Sequence, residues 1–131
     1  MHAGKILCID GEEVGLLVRK LMLESEGFEA AVATNGKAAL ELCGKFCFDL
    51  IRLDYSIPGM NGGEVAQAIR LLRPEIPVVL LSPYLTLPEE HTRIVYGHVI
   101  EGESTEALLI LIRKLLQREA DAPDSKERRT A

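Results

Sequence analysis

Asp10, Asp54, Ser82 and Glu101 each stand at or just past the end of a short apolar run, in KILCID, LIRLD, PVVLLS and HVIE. A carboxylate can attack an electrophilic centre or ligate a hard cation, and a hydroxyl can hydrogen-bond an anionic oxygen. Any one of them is as well read as the polar residue that stops a strand. Coming from distant segments, the four together point to one crevice. The stretch LDYSIPGMNG adds a Pro-Gly, Asn-Gly loop directly after Asp54, and Arg52 puts a permanent charge on the same strand face two residues earlier.

Convergence requires elements that end at a common edge. Lys5 to Ile9, Phe28 to Thr34, Leu50 to Asp54, Pro77 to Leu81 and His98 to Ile100 read as strands. Between them Val14, Leu17, Val18 and Leu21 recur at helical spacing until Gly27, and Asn35-Gly36 opens a short helix through Ala38, Ala39 and Leu42. Val65, Ile69 and Leu72 mark a third helix ending at Arg73-Pro74, because a residue before proline leaves helical geometry. PYLTLPEEHTRIVYG, with Pro83 and Pro88, leaves room for about two turns of a shortened fourth helix. Thr105 to Gln117, capped by Ser104, is the last helix. This alternation predicts an α/β domain with a doubly wound five-stranded parallel sheet over residues 1–117, followed by a flexible charged tail over 118–131. Loops at the carboxyl ends of such strands meet at the switch point where ligands collect.

The 131 residues, 47% hydrophobic, suffice for one buried core. A net charge of −5 argues against nucleic-acid binding by this domain, and no apolar run approaches the ~20 residues of a membrane span. A cytoplasmic protein is expected, without a membrane partner. Cys8, Cys43 and Cys47 lack metal-finger spacing and read as reduced, partly buried thiols.

At these residues the sequence resembles the receiver domain of two-component response regulators, the family of the chemotaxis receiver, over roughly residues 4 to 117. The resemblance implies a flavodoxin-like (βα)5 fold with strand order 2-1-3-4-5. It implies Asp54 as acceptor of a phosphoryl group from a sensor histidine kinase or phosphotransfer protein, in an aspartyl-phosphate relay, with Pro58, Gly59 and Gly62 in the acceptor loop. NGKAAL resembles the family's entry to its second helix. Ser82 falls where a Thr or Ser hydrogen-bonds the phosphoryl oxygen, and His98 falls where a switch aromatic moves with it. A Mg2+ ion is implied at Asp10, Asp54 and the Ser56 backbone carbonyl, with Glu12 or Glu101 as a further ligand.

Two departures bear on that chemistry. Gly11 stands where the family has a second acid that ligates the metal, and Glu101 stands where it has a phosphate-binding lysine. Loss of the acid removes one negative charge and Lys-to-Glu adds two, so the crevice is one unit more negative than the family pattern. Two carboxylates about 5 Å apart repel by roughly 3 kcal/mol at an effective dielectric near 20. A weakened Mg2+ site and slow or absent phosphorylation follow, unless Arg52 reaches the crevice and compensates; the alternative is that it snorkels to a helix edge or pairs with an unrelated acid.

Two further readings stand beside an atypical receiver. A pseudo-receiver would act as an interaction or dimerisation module independent of phosphorylation; the surplus of apolar residues in ALLILIRKLL assigns Leu108, Ile112 and Leu115 to the core and leaves Leu109 and Leu116 for a homodimer interface or for packing under the short fourth element. A hydrolase using Asp54 as nucleophile lacks the acid two residues on that related phosphatases carry, since Ser56 stands there, so no enzyme activity beyond self-phosphorylation from a donor is expected.

Overall fold

The computed structural model describes residues 4–84, 86–100 and 105–121, apart from the side chains of 105–108 and 118–121. Strands and helices alternate as β1 (Lys5–Ile9), α1 (Glu13–Ser25), β2 (Glu29–Ala33), α2 (Gly36–Lys45), β3 (Leu50–Asp54), α3 (Gly62–Leu72), β4 (Val78–Ser82), α4 (Glu89–Thr92), β5 (Gly97–Ile100) and α5 (Thr105–Asp121). The five strands form one sheet in the order β2-β1-β3-β4-β5, and every pairing is parallel. This is the expected doubly wound, flavodoxin-like arrangement. The chain falls into two compact units, residues 1–101 and 102–131, the second containing α5.

Every residue of β3 and β4 is buried, as unbroken apolar runs in a sheet covered on both faces require. Alternation divides β3 between two environments. Ile51 and Leu53 join Leu7, Ile9, Leu80, Val65 and Ile69 in the apolar core beneath α2 and α3. Leu50, Arg52 and Asp54 point to the opposite face, which they share with Ile6 and Cys8 of β1. Asparagine side chains start two helices: Asn35 Oδ1 accepts from Ala38 N at 2.8 Å, and Asn61 Oδ1 accepts from Glu64 N at 2.9 Å in a capping box. At the next position Gly62 lies so close to the end of β3 that a Cβ would stand 2.6 Å from the Asp54 carbonyl oxygen. Only glycine lets that loop close on the strand.

α1 forms where the helical spacing placed it, with its apolar stripe turned to solvent. Its recurring apolar residues Val14, Leu17, Val18 and Leu21 are 57 to 70% exposed, while Leu16 and Leu23 are buried and Arg19 and Lys20 are half-buried between them. Periodicity identified residues that share a side of the helix; it carried no information on which side the sheet covers. α4 is a single turn, within the two turns allowed for it.

α5 runs to Asp121, past the expected end at Gln117, because Arg118, Glu119 and Ala120 are themselves good helix formers. Leu109, Ile112 and Leu115 are buried, Leu116 is half-buried, and Ile110 is 52% exposed. Leu109 therefore does not offer a free apolar surface, and among the described residues of this segment the exposed large apolar one is Ile110. The Ser104 cap, the Leu108 side chain and the tail from residue 122 lie outside the described residues.

Candidate functional site

Parallel register brings the strand ends together. Ile9 pairs with Leu53 and Asp54 pairs with Leu81, so Asp10, Asp54 and Ser82 follow one another along the carboxyl edge of β1, β3 and β4. All three are buried. Glu101, expected beside them, lies outside the described residues.

Asp10 is fully engaged. Its Oδ2 accepts from Arg19 Nη1 at 2.6 Å, and its Oδ1 accepts from the Glu12 backbone N–H at 3.0 Å. Arg19 reaches it because α1 turns its Leu16–Arg19–Leu23 side inward and because Gly15 leaves the path open; a Cβ there would lie 2.8 Å from Arg19 Nη1. The Glu12 carboxylate lies on the same spot, its Oε2 3.6 Å from that Cβ position, and the residue is exposed.

Asp54 is only 7% exposed, and Arg52 beside it only 2%. Arg52 Nη1 stands 3.1 Å from Asp54 Oδ1. The guanidinium thus points to the crevice and does not snorkel to a helix edge. The pair is close but poorly aligned: Arg52 Nε and Nη1 and Asp54 Oδ1 have no hydrogen-bond partner among the described residues. Burial pushes the Asp54 carboxyl up to about 7; Arg52 opposes the rise, and the charge and side-chain hydrogen bond of Asp10 add to it. Burial likewise lowers the Arg52 guanidinium, against the pull of Asp54. Cys8, paired in register with Arg52, is pushed up to about 11 by burial and stays a thiol.

Ser82 is completely buried and its Oγ accepts from Tyr84 N at 3.0 Å, leaving its proton to donate. Ser56 forms an isolated antiparallel bridge with Asn61 that folds the Pro58–Gly59 loop back on itself, and Gly59 takes the positive φ of +87° that the turn requires. His98 is half-buried on β5, one strand over from Leu80, and its Nε2 is buried without a partner among the described residues.

Among the described residues the donor set does not fit a Mg2+ ion. Both Asp10 oxygens are taken, Arg52 flanks Asp54, Gly11 supplies no oxygen from its side chain, and Glu12 lies against Gly15. A hard dication needs several free oxygens and here would meet two permanent cations. Among the described residues no cluster of His, Cys, Asp or Glu could hold a metal.

Two features escaped the sequence reading. Arg19 was not singled out, although it stands three residues after Leu16 and four before Leu23. Tyr55 and His91 bond through Oη and Nδ1 at 2.9 Å, and the His91 ring packs on Gly63, where any Cβ would collide with it. No motif joins residues so far apart in sequence.

A buried carboxylate at the edge of a doubly wound sheet, with a hydroxyl one strand over, defines the class of α/β domains that work at the strand ends. Residues 6–98 match the family described as the response regulator receiver domain. Over 120 residues the chain is 32% identical to the uncharacterized transcriptional regulatory protein YkoG of Bacillus subtilis, covering 89% of this chain and 53% of that one. It is 30% identical to the sensor protein GacS of Pseudomonas syringae over 73% of this chain and 11% of that protein. The response regulator TrrA of Thermotoga maritima, solved in complex with Mg(2+)-BeF, superposes with a TM-score of 0.79 at 29% identity, covering 88% of this chain and 99% of that one. The chain belongs to the response regulator receiver domain family, a family of two-component signalling modules. It spans about half the length of YkoG and a much smaller share of GacS. Among the described residues no helix is long and apolar enough to cross a membrane.

Proposed function

We propose that this domain receives a phosphoryl group on Asp54 from a sensor histidine kinase or phosphotransfer protein, and that it is an atypical receiver because Gly11 and Glu101 replace the family's second acid and lysine. The observation that carries the reading is the alignment of Asp10, Asp54 and Ser82 along one edge, with Arg52 3.1 Å from Asp54. An Asp54 oxygen attacks phosphorus and the new O–P bond forms as the P–N bond of a phosphohistidine breaks. The imidazole leaves with the electron pair and takes up a proton. The Ser82 hydroxyl donates to a phosphoryl oxygen, and His98 follows that movement as the switch residue. A cytoplasmic setting goes with this exchange.

The exposed apolar stripe Val14, Leu17, Val18 and Leu21, on the helix whose inner side carries Arg19 to Asp10, supports contact with a partner protein. It also favours a second reading, a pseudo-receiver that binds its partner through α1 whether or not Asp54 is modified. Incubation with acetyl phosphate decides between them. The receiver reading expects a single phosphate mass increment that disappears in Asp54→Asn; no increment at any donor concentration leaves the binding module alone.

A further inference from the structure

We propose that the guanidinium groups of Arg52 and Arg19 occupy the electrostatic place of a divalent cation, so that the crevice excludes Mg2+ and accepts a phosphoryl group directly. The proposal rests on the reading of Asp54 as acceptor but concerns what neutralises it.

Charge makes the first part of the argument. Arg19 bonds Asp10 and Arg52 flanks Asp54, so among the described residues each of the two buried carboxylates has a guanidinium beside it. A pair of arginines supplies the same charge as one dication. Mg2+ would have to compete with Arg19 for the Asp10 Oδ2 and would meet the Arg52 charge beside Asp54. Nor is there a carboxylate at position 11 to outbid the arginines, because Gly11 has no side chain and a Cβ there would already lie 2.8 Å from Pro58 Cδ.

Hydrogen bonding makes the second part. Arg52 is among the largest fully buried side chains of the protein, yet its Nε and Nη1 lack an acceptor among the described residues. Buried donors of a permanent cation are costly to leave unmet. A pair whose only purpose was to hold the sheet together would be expected to align; this one leaves Asp54 Oδ1 unmatched as well. A phosphoryl group on Asp54 brings three acceptor oxygens to a guanidinium whose planar fork suits two of them. Arg52 would thereby gain the partners it lacks, and Arg19 would hold Asp10 neutralised so that it does not repel the incoming anion.

The test uses the full chain and two probes. In the first, MgCl2 alone is titrated to about 10 mM while backbone amide shifts are followed. Wild type is expected to show no saturable shifts at residues 10–12 and 54–56, and Arg19→Gln, which frees Asp10, to gain them. Saturable Mg2+ binding by wild type in that range overturns the proposal. In the second, acetyl phosphate is supplied with MgCl2 or with EDTA. The increment on Asp54 is expected to be equal within about twofold in the two conditions and to fall at least tenfold in Arg52→Met, with Arg19→Gln as the variant that keeps the core intact. An increment that vanishes with EDTA overturns metal-free acceptance while leaving Asp54 as acceptor. Should no increment form in either condition, the acceptor reading fails, and the titration by itself decides whether the arginines exclude the metal.

Discussion

The two faces of β3 differ in kind although their residues alternate along one strand. Ile51 and Leu53 sit in a core of aliphatic side chains with Val65, Ile69 and Leu80, whereas Arg52 and Asp54, one peptide away, form a buried ion pair against Cys8 and Asp10. The first face gains stability from every methylene it hides. The second spends part of that gain, because two desolvated charges meet without good alignment.

The sharpest way to break this contrast is to truncate the apolar side. Leu53→Ala should destabilise the domain by about 2–5 kcal/mol in urea unfolding, the usual range for a fully buried leucine. Replacing the charged side in full, with Arg52→Leu and Asp54→Leu together, should by contrast be neutral or stabilise by about 1–4 kcal/mol while removing phosphate acceptance. A large loss of stability in the double variant would show the ion pair to be structural and the two faces alike.

Titration sharpens the same contrast. The Asp54 carboxyl holds its proton more tightly in the folded state, with its value raised from 3.8 to about 7 chiefly by burial. The folded state therefore binds the extra proton, and its contribution to stability is greatest below about 3.8 and is lost as the pH rises to about 7. Asp54→Asn should flatten the pH dependence of the unfolding midpoint over that window. A wild-type profile that instead climbs with pH there would mean that Arg52 has won over desolvation.

Smaller effects belong to the periphery. Tyr55→Phe removes the bond to His91 and should cost about 0.5–1.5 kcal/mol, read from the same urea curves. Leu17→Lys on the exposed stripe of α1 should change stability by no more than about 0.5 kcal/mol. Its effect should appear only as weaker binding to the phosphodonor protein, measured by calorimetry.

Much of this arrangement was legible beforehand. Alternating strand and helix signals located the strands to within a residue or two, and the apolar runs closing on Asp10, Asp54 and Ser82 put those three at the ends of neighbouring strands. Arg52 was recognised as an oddity because a charge interrupts LIRLD, but its sequence position allowed either a path to the crevice or an escape to a helix edge. On α1 the apolar stripe was legible but its orientation was not: the sheet packs on Leu16 and Leu23 and leaves Val14, Leu17, Val18 and Leu21 to solvent. On α5 the sequence left Leu109 open between an interface and packing under the short fourth element, and the residue is buried.

Local rules thus determined which segments extend, which coil, and which polar residues stand at strand ends, because those properties depend on a few neighbouring side chains. Only the tertiary structure decided which side of α1 faces the sheet, that Arg19 grips Asp10, and that Arg52 lies beside Asp54. Those outcomes depend on the register between strands and on the rotation of a helix about its axis, and both are set by the packing of segments distant along the chain.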